Sequence, residues 1–340
     1  MLYKKLTILG FLSMVALLSM GASLSIGTVP IPLSHTFRAV IGKIPYLQIF
    51  VDGSIAHTYL MILFDLRFPR ILLTMLVGAG LATAGCCMQG LFRNPMASPY
   101  VIGISSGSAF GAALALLIIP GLFSVPLSAF IFGVSTTFLV YRISRRESRV
   151  FTQTLLLAGI AVGFFFSAIT SLLMYMAAES VHRLVFWIMG GFWNSSWMNL
   201  LVAFPFIGFG IPAIYLFARD LNILQLGEDS AAHLGVEVER TKKFLLIFAS
   251  LITASAVSVS GIIGFVGLIV PHITRLLVGP DHRILIPTSA LVGAILLMWC
   301  DTLARVIITP AELPVGIITA CFGAPFFIYL LIRKKSVGYD

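Results

Sequence analysis

Long apolar runs recur along almost the whole chain, and they restrict the possible folds more than any other feature of the sequence. Runs of about 18 to 25 residues can cross a hydrocarbon core of about 30 Å as helices. Apolar residues make up 59% of the 340 residues and charged residues only 10%, whereas soluble domains have about 25% charged residues. Because lipid offers no partner to free backbone groups, the sequence predicts an all-α, polytopic membrane protein.

The apolar runs predict about ten transmembrane helices within a single membrane domain, residues 1–340. The predicted spans are residues 6–25, 68–91, 100–119, 126–142, 152–176, 197–218, 244–262, 264–278, 284–304 and 314–332. Glycines leave little room for a loop between the seventh and eighth spans, and Pro271 is expected to break the eighth. We therefore expect one of these two spans to cross the membrane only in part.

The basic residues lie in short clusters between the apolar runs and indicate the topology. If both termini are cytoplasmic, most of the 22 Lys and Arg residues face the cytoplasm, which agrees with the positive-inside tendency. The net charge of +9 could also suggest nucleic acid, but the basic residues form neither a tail nor a single patch. We expect the lipid bilayer as a partner and no nucleic acid. The longest outer segment, residues 25–66, is expected to form a cap with short helices.

The sequence contains none of the residue patterns that we associate with catalysis, metal binding or nucleotide binding. H-E-x-x-H and G-x-x-x-x-G-K-[ST] do not occur. The four cysteines lie in apolar runs without the spacing of metal ligands; they are Cys86, Cys87, Cys300 and Cys321. We predict no catalytic residue, no metal site and no cofactor in this chain.

The longest polar interruption, GEDSAAHLGVEVERTKK at residues 227–243, lies in a cytoplasmic loop predicted at residues 219–243. Asp229 or Ser230 can cap a short helix that ends at Gly235, and the chain that follows can begin a second short helix. Two such helices, with small residues and one apolar side chain, would fit a groove of a soluble partner. The pattern is equally compatible with a solvated linker.

Several stretches of the sequence resemble the FecCD family, the permease subunits of type II ABC importers for iron–siderophore complexes, haem and cobalamin. They are RFPR at 67–70, GLFRNPMASPYVIGISSG at 90–107, LNILQLGEDSAAHLGVEVERTKK at 221–243, SVSGIIGFVGLIVPHITRLLVGPDHR at 258–283 and DTLARVIITPAELPVGIITACFGAPFFIYLL at 301–331. The first helix, the cap and residues 177–200 match only in character. The resemblance therefore indicates the type of transporter more specifically than its substrate.

The resemblance implies a multi-pass permease subunit of a prokaryotic inner membrane, in which a dimer of ten-span subunits surrounds a central pathway. Its implied partners are a second permease subunit in a homodimer, two cytoplasmic ATPase subunits and an extracytoplasmic substrate-binding protein. ATP and magnesium would belong to the ATPase and not to this chain.

The resemblance also assigns roles to three groups of residues. The coupling helix that docks on the ATPase would comprise Gly227, Glu228, Asp229, Ser230, Ala231, Ala232, His233, Leu234 and Gly235. Glutamates of the binding protein would pair with Arg67, Arg70 and Arg305. The translocation pathway would include Met174, Tyr175, Met176, Trp187, Trp193 and Asn194.

The residue patterns by themselves allow other interpretations of these groups. The arginines could extend toward lipid headgroups, and Arg305 could form an i, i+4 pair with Asp301. Trp and Tyr are also typical of membrane interfaces. An ion-coupled secondary transporter is the alternative function, but it would need an ionisable group near mid-membrane. The acidic candidates all lie near span ends: Asp65, Glu179, Asp301 and Glu312.

Overall fold

A computed structural model describes residues 2–43, 56–119, 121, 124–146, 149–177 and 181–335. Its α-helices are α1 (Leu2–Ser25), α2 (Leu33–Gly42), α3 (His57–Met61), α4 (Phe68–Leu91), α5 (Ile104–Ala113), α6 (Val125–Ser144), α7 (Thr152–Met176), α8 (Val181–Met189), α9 (Trp197–Leu216), α10 (Ala218–Leu224), α11 (Glu228–His233), α12 (Val238–Ser260), α13 (Val266–Val278), α14 (His282–Val306) and α15 (Val315–Lys335). Two-residue strands β1 (Arg145–Arg146) and β2 (Arg149–Val150) form an antiparallel hairpin. A π-helical turn (Ile62–Arg67) joins α3 to α4, and another (Leu114–Ile118) follows α5. A 3₁₀ turn (Pro99–Ile102) precedes α5.

Seven helical segments in the described residues are long and apolar enough to cross a membrane. They are Thr7–Ser25, His57–Leu91, Val125–Ser144, Thr152–Met176, Trp197–Leu216, Val238–Ser260 and His282–Val306. Three shorter apolar helices, Ile104–Ile118, Val266–Val278 and Val315–Tyr329, coincide with the remaining predicted spans. The predicted all-α, polytopic fold is confirmed, and seven of the ten predicted spans have the length of a full crossing.

The eighth predicted span is the short helix α13. Its 13 residues extend about 20 Å at 1.5 Å per residue, less than the thickness of a bilayer core. Pro271 does not break this helix, contrary to the prediction. Pro271 has no backbone N–H, so the carbonyl of Gly267, four residues earlier, lacks its usual helical hydrogen bond. Gln89 of α4 donates from Nε2 to the neighbouring carbonyl of Leu268 at 3.0 Å, so α4 supports the backbone beside the defect.

Helix α4 lies at the centre of the bundle and packs against α9, α12, α13 and α14. Its most apolar window is 78% buried, whereas that of α7 is only 22% buried, so α7 is peripheral. Glycines bring α4 into backbone contact with two neighbours. A Cβ atom on Gly85 would overlap the carbonyl oxygen of Gly267, and one on Gly78 would overlap that of Gly293.

At the end of the bundle where α4 begins, the predicted cap contains the short helices α2 and α3 in its described part. Residues 44–55 of the cap lie outside the described residues. Leu24 and Ile31 pack with Leu63, Ile71 and Met298 in a separate apolar cluster. This cluster attaches the start of the cap to α4 and α14.

Candidate functional site: two cavities and a helical projection

An ion cluster forms where α4 begins and α14 ends. Arg70 donates from Nη2 to Asp301 at 2.8 Å and from Nη1 to Glu312 at 2.8 Å. Arg305 places its Nε 3.4 Å from the second oxygen of Asp301, which is the i, i+4 pair considered from the sequence. The Asp301 side chain is 1% exposed. One buried carboxylate therefore faces two guanidinium groups.

Arg67 lies beside this cluster but contacts carbonyl oxygens instead of carboxylates. It ends the π-helical turn before α4, a type of local distortion that is frequent at functional sites. Its Nη1 donates to Leu24 at 2.7 Å and to Ser25 at 3.3 Å, and its Nη2 donates to the carbonyl of Val29. No carboxylate among the described residues pairs with Arg67. Asp301 and Glu312 balance the charges of Arg70 and Arg305, so Arg67 leaves an excess positive charge among the described residues.

All three arginines line one cavity of about 370 Å³, which we call the arginine cavity. Its other lining residues are Gly27, Thr28, Val29, Ile62, Leu66, Phe192, Trp193, Ser195 and Glu312. The exposed fraction is 6% for Arg67, 8% for Arg70 and 4% for Arg305, and nearby carboxylates and carbonyl oxygens accept their hydrogen bonds.

A larger cavity of about 580 Å³ adjoins the arginine cavity, and Trp193 and Glu312 line both. We call it the aromatic cavity. Trp187, Trp193 and Asn194, three of the predicted pathway residues, line it. Met174 instead packs in a small apolar cluster with Leu184. Tyr175 and Met176 are exposed at the end of α7 and are not among the lining residues.

The aromatic cavity also contains residues that the sequence analysis did not assign to the pathway. Phe186 forms an edge-to-face pair with Trp193 at a centroid distance of 6.0 Å, and His182 lies 4.7 Å from Phe186. Arg183 completes this part of the wall. Aromatic faces beside a guanidinium group suit a planar or amphipathic ligand that carries negative charge. The helical spacing of 182, 183, 186 and 187 could have indicated this surface.

A helical projection formed by α10 and α11 lies at the other end of the bundle. Gly227 adopts a φ of 107° before α11, and Gly235 adopts a φ of 84° after it, so both positions favour glycine. Gly227 occupies the N-cap without a side-chain bond, and the predicted caps Asp229 and Ser230 lie inside the helix. The expected second short helix is instead the beginning of α12.

The surface of α11 is mostly exposed. Leu234, directly after the helix, is 57% exposed although its side chain is apolar. The other exposed residues of the predicted coupling helix are Asp229, Ser230, Ala232, His233 and Gly235. Ala231 faces the opposite way and packs against Leu224 and Val236. Leu234, and not Ala231, is therefore available to a partner.

Polar contacts attach the projection to three long helices. Glu228 pairs with Lys242 of α12 at 2.6 Å. Asn222 donates to Asp281 at 2.8 Å and accepts from the backbone N–H of His282 at 2.8 Å, at the beginning of α14. A further contact joins Gln225 to the carbonyl of Gly90 near the end of α4, at 2.8 Å. These contacts therefore join α11 to α12, and α10 with the residue that follows it to α14 and α4.

No group of three or more His, Cys, Asp or Glu residues within the described ranges is arranged to hold a metal ion. Cys86, Cys87 and Cys300 are buried, and Cys321 is exposed. The candidate site comprises the arginine cavity and the aromatic cavity at one end of the bundle and the projection at the other.

Comparison with known proteins identifies the family of this chain. A model of the FecCD transport family matches residues 14–333. The chain belongs to this family. The resemblance found in the sequence motifs is therefore confirmed, and the protein is a multi-pass membrane protein of a transport family.

Several characterised FecCD proteins are similar over most of their length. The cobalamin import system permease protein BtuC of Halobacterium salinarum is 42% identical over 325 residues, which cover 93% of this chain and 85% of the relative. The Fe(3+) dicitrate transport system permease protein FecD of Escherichia coli is 36% identical over 315 residues, covering 92% and 94%. The hemin transport system permease protein HmuU of Yersinia pestis is 41% identical over 283 residues, covering 80% and 83%.

A solved structure has the same fold. It is an inward-facing conformation of a metal-chelate type ABC transporter, with a TM-score of 0.85 and 35% sequence identity. The alignment covers 96% of this FecCD chain and 99% of the other chain. The similarity therefore extends over the whole bundle, including the cavities and the projection.

Proposed function

We propose that this chain is the permease subunit of a binding-protein-dependent ABC importer that moves a metal chelate inward. The cargo class is an iron–siderophore complex, haem or cobalamin, and the relatives named for cobalamin, ferric dicitrate and hemin support it. ATP hydrolysis, with magnesium, takes place in a separate ATPase, and this chain is not an enzyme. The exposed helical projection, attached to three long helices, is the observation that carries the proposal.

The assembly contains two permease subunits, a homodimer of this chain, with two cytoplasmic ATPase subunits and one extracytoplasmic binding protein. Both termini and the loop 219–243 face the cytoplasm, in agreement with the distribution of Lys and Arg. The cap, residues 25–66, faces outward. This orientation places the projection beside the ATPase and the two cavities beside the binding protein.

The ATPase binds the exposed face of α11, and Leu234, directly after this helix, is the central apolar contact. When ATP binding brings the ATPase subunits together, α11 moves with them. The contacts of Asn222, Gln225 and Glu228 then transmit this movement to α14, α4 and α12. The movement changes the relative stability of the inward-open and outward-open states, which is a population shift driven by differential contacts.

A carboxylate of the binding protein enters the arginine cavity and contacts Arg67, Arg70 and Arg305. Arg67 is the main attraction because no carboxylate among the described residues neutralises it. Arg70 is less available, since Asp301 and Glu312 already accept from it. Bidentate recognition of carboxylates by Arg explains why three arginines are suited to this position.

The chelate passes the aromatic cavity after it leaves the binding protein. Trp187, Trp193 and Asn194 belong to the wall that it contacts first, and His182 and Arg183 contribute polar groups to the same wall. In the dimer, Met174, Tyr175 and Met176, which lie at the outer end of α7, contribute to the same outer part of the pathway. Weak, distributed contacts of this kind let a bulky ligand enter and leave.

Reconstitution tests the proposal directly. Proteoliposomes would contain this chain and its ATPase, with ATP inside the vesicles and binding protein loaded with a labelled iron chelate outside. We expect uptake that stops without ATP or without the ATPase and is insensitive to a protonophore. Uptake that continues without the ATPase, or that a protonophore abolishes at constant ATP, would instead establish the ion-coupled secondary transporter.

A further inference from the structure

A narrow apolar groove lies between α6 and α12, away from the two cavities and from α11. Its volume is about 170 Å³. One wall consists of Val134, Thr137, Phe138 and Tyr141 of α6; the other consists of Lys243, Leu246, Ile247, Ser250 and Leu251 of α12. The residues follow the three- and four-residue spacing of one helix face on each side. The groove therefore runs along the two helices.

The hydroxyl groups of Thr137 and Ser250 in the groove walls are already satisfied within their own helices. Thr137 donates from Oγ1 to the carbonyl of Gly133 at 3.3 Å, and Ser250 donates from Oγ to the carbonyl of Leu246 at 2.5 Å. The walls therefore present mainly carbon to whatever occupies the groove. Water needs two or more polar partners in such a site, so a hydrocarbon chain fits better than water.

The length of the groove corresponds to one leaflet of a bilayer. From Lys243 to Leu251 the helix rises about 12 Å at 1.5 Å per residue. Half of a hydrocarbon core of about 30 Å is about 15 Å. Phe138 at 63% and Ile247 at 40% exposed leave the groove open along its side, so a lipid chain can enter laterally.

One end of the groove is basic. Lys243 lines it, and the exposed Arg145, the first residue of β1, follows directly after the end of α6, four positions beyond Tyr141. Arg142, in the last turn of α6, is also exposed. No carboxylate among the described residues pairs with any of these three basic groups. Tyr141 at the same end is typical of the headgroup region.

We propose that this groove binds one anionic phospholipid. An acyl chain lies between α6 and α12, and the phosphate of the headgroup contacts Lys243 and Arg145. Charge complementarity at the basic end selects an anionic lipid over a zwitterionic one, as basic pockets between transmembrane helices commonly do. The site does not depend on the cargo or on the ATPase, so it can hold even if the import proposal fails.

Native mass spectrometry of the full-length protein tests this site. The protein would be extracted from bilayers with equal amounts of phosphatidylglycerol and phosphatidylcholine that have the same palmitoyl and oleoyl chains. We expect preferential retention of phosphatidylglycerol. Lys243→Gln should lower its retention about fivefold, the equivalent of about 1 kcal/mol for one basic residue near a headgroup. Ile247→Trp, which fills the open side of the groove, should lower retention of both lipids.

Arg283→Gln is the matched control, because Arg283 is an exposed basic residue at the same end of the bundle on α14. It should leave retention unchanged. Equal retention of the two lipids, or an equal loss in Arg283→Gln and Lys243→Gln, would overturn the proposal. Cysteine cross-linking through Phe138→Cys between two copies would also overturn it, since a second copy of the chain would then fill the groove.

Discussion

Arg70 contacts Glu312 through Nη1 and Oε2 at 2.8 Å, and Glu312 lines both the arginine cavity and the aromatic cavity. Glu312 is 30% exposed, whereas Asp301, the other partner of Arg70, is 1% exposed. A carboxylate that enters the arginine cavity therefore competes with Glu312 more readily than with Asp301. Displacement of Glu312 would change the wall of the aromatic cavity, which connects docking with the proposed pathway.

The two carboxylates should differ in their contribution to stability. Asp301→Asn leaves Arg70 and Arg305 without their buried counter-charge and should destabilise the protein by about 3–5 kcal/mol. Glu312→Gln should cost about 1 kcal/mol or less, because its partly exposed pair is screened by solvent. Thermal unfolding in detergent measures both effects. Glu237→Gln, in an exposed pair with Arg240, should change nothing; equal losses for Asp301→Asn and Glu312→Gln would contradict the burial argument.

Arg67→Gln should weaken docking of the binding protein while the amide can still donate to the carbonyl oxygens around it. The loss of one charge-assisted contact of about 1.5–3 kcal/mol corresponds to roughly 10- to 100-fold in the dissociation constant. The effect should shrink at high salt. Surface plasmon resonance with the immobilised permease measures the affinity.

The control for Arg67 is Arg38→Gln, because Arg38 is exposed on α2 at the same end of the bundle. The affinity of the Arg38→Gln variant for the binding protein should equal that of the unmodified permease. If Arg67→Gln and Arg38→Gln lower the affinity for the binding protein equally, docking depends on the overall electrostatic field of this face and not on the arginine cavity.

Leu234→Asp should separate ATP hydrolysis from transport. The side chain is largely exposed, so the substitution should not alter the thermal midpoint, whereas a carboxylate in an apolar contact with the ATPase is unfavourable. Stimulation of ATPase activity by the loaded binding protein should be lost in proteoliposomes. Leu234→Met, which keeps an apolar side chain, should retain the stimulation. Normal stimulation with Leu234→Asp would exclude this residue from the coupling surface.

Asn222→Ala tests the transmission of movement from the projection to α14. It removes one hydrogen bond to the Asp281 carboxylate, which also accepts from the backbone N–H of Arg283, and it removes the acceptor of the His282 N–H. The expected cost is about 1–3 kcal/mol. We expect ATPase binding to persist while transport per ATP falls. A ratio of transport to hydrolysis that equals that of the unmodified chain would show that this contact does not transmit force.

Gly85→Ala should strongly destabilise the bundle because the added methyl group overlaps the carbonyl of Gly267. Overpacking of this kind costs about 1–3 kcal/mol or more. Gly21→Ala is the control, since nothing lies within 4 Å of its added Cβ, and a helical Gly→Ala change there should stabilise by about 0.5–1 kcal/mol. Thermal unfolding that ranks the two variants in the opposite order would contradict the close approach of α4 and α13.

Apolar periodicity and length predicted most of the fold, because each long helix is determined by a local run of residues. Local capping rules were less reliable: Asp229 and Ser230 are good caps by type, but the positive φ of Gly227 begins α11 earlier. The burial of Arg70 could not be predicted from the sequence, since its partners Asp301 and Glu312 are more than 230 positions away in the chain. Tertiary packing decided these cases.

At Gly78 the backbone of α4 contacts that of α14 directly, and at Gly85 it contacts that of α13. Side chains can change rotamer and absorb small shifts, whereas adjoining peptide groups collide or separate. We therefore expect α4, α13 and α14 to move together as one rigid unit. Under the proposed import function, the rearrangements of the transport cycle would therefore fall on peripheral parts such as α7 and leave these three helices in fixed contact.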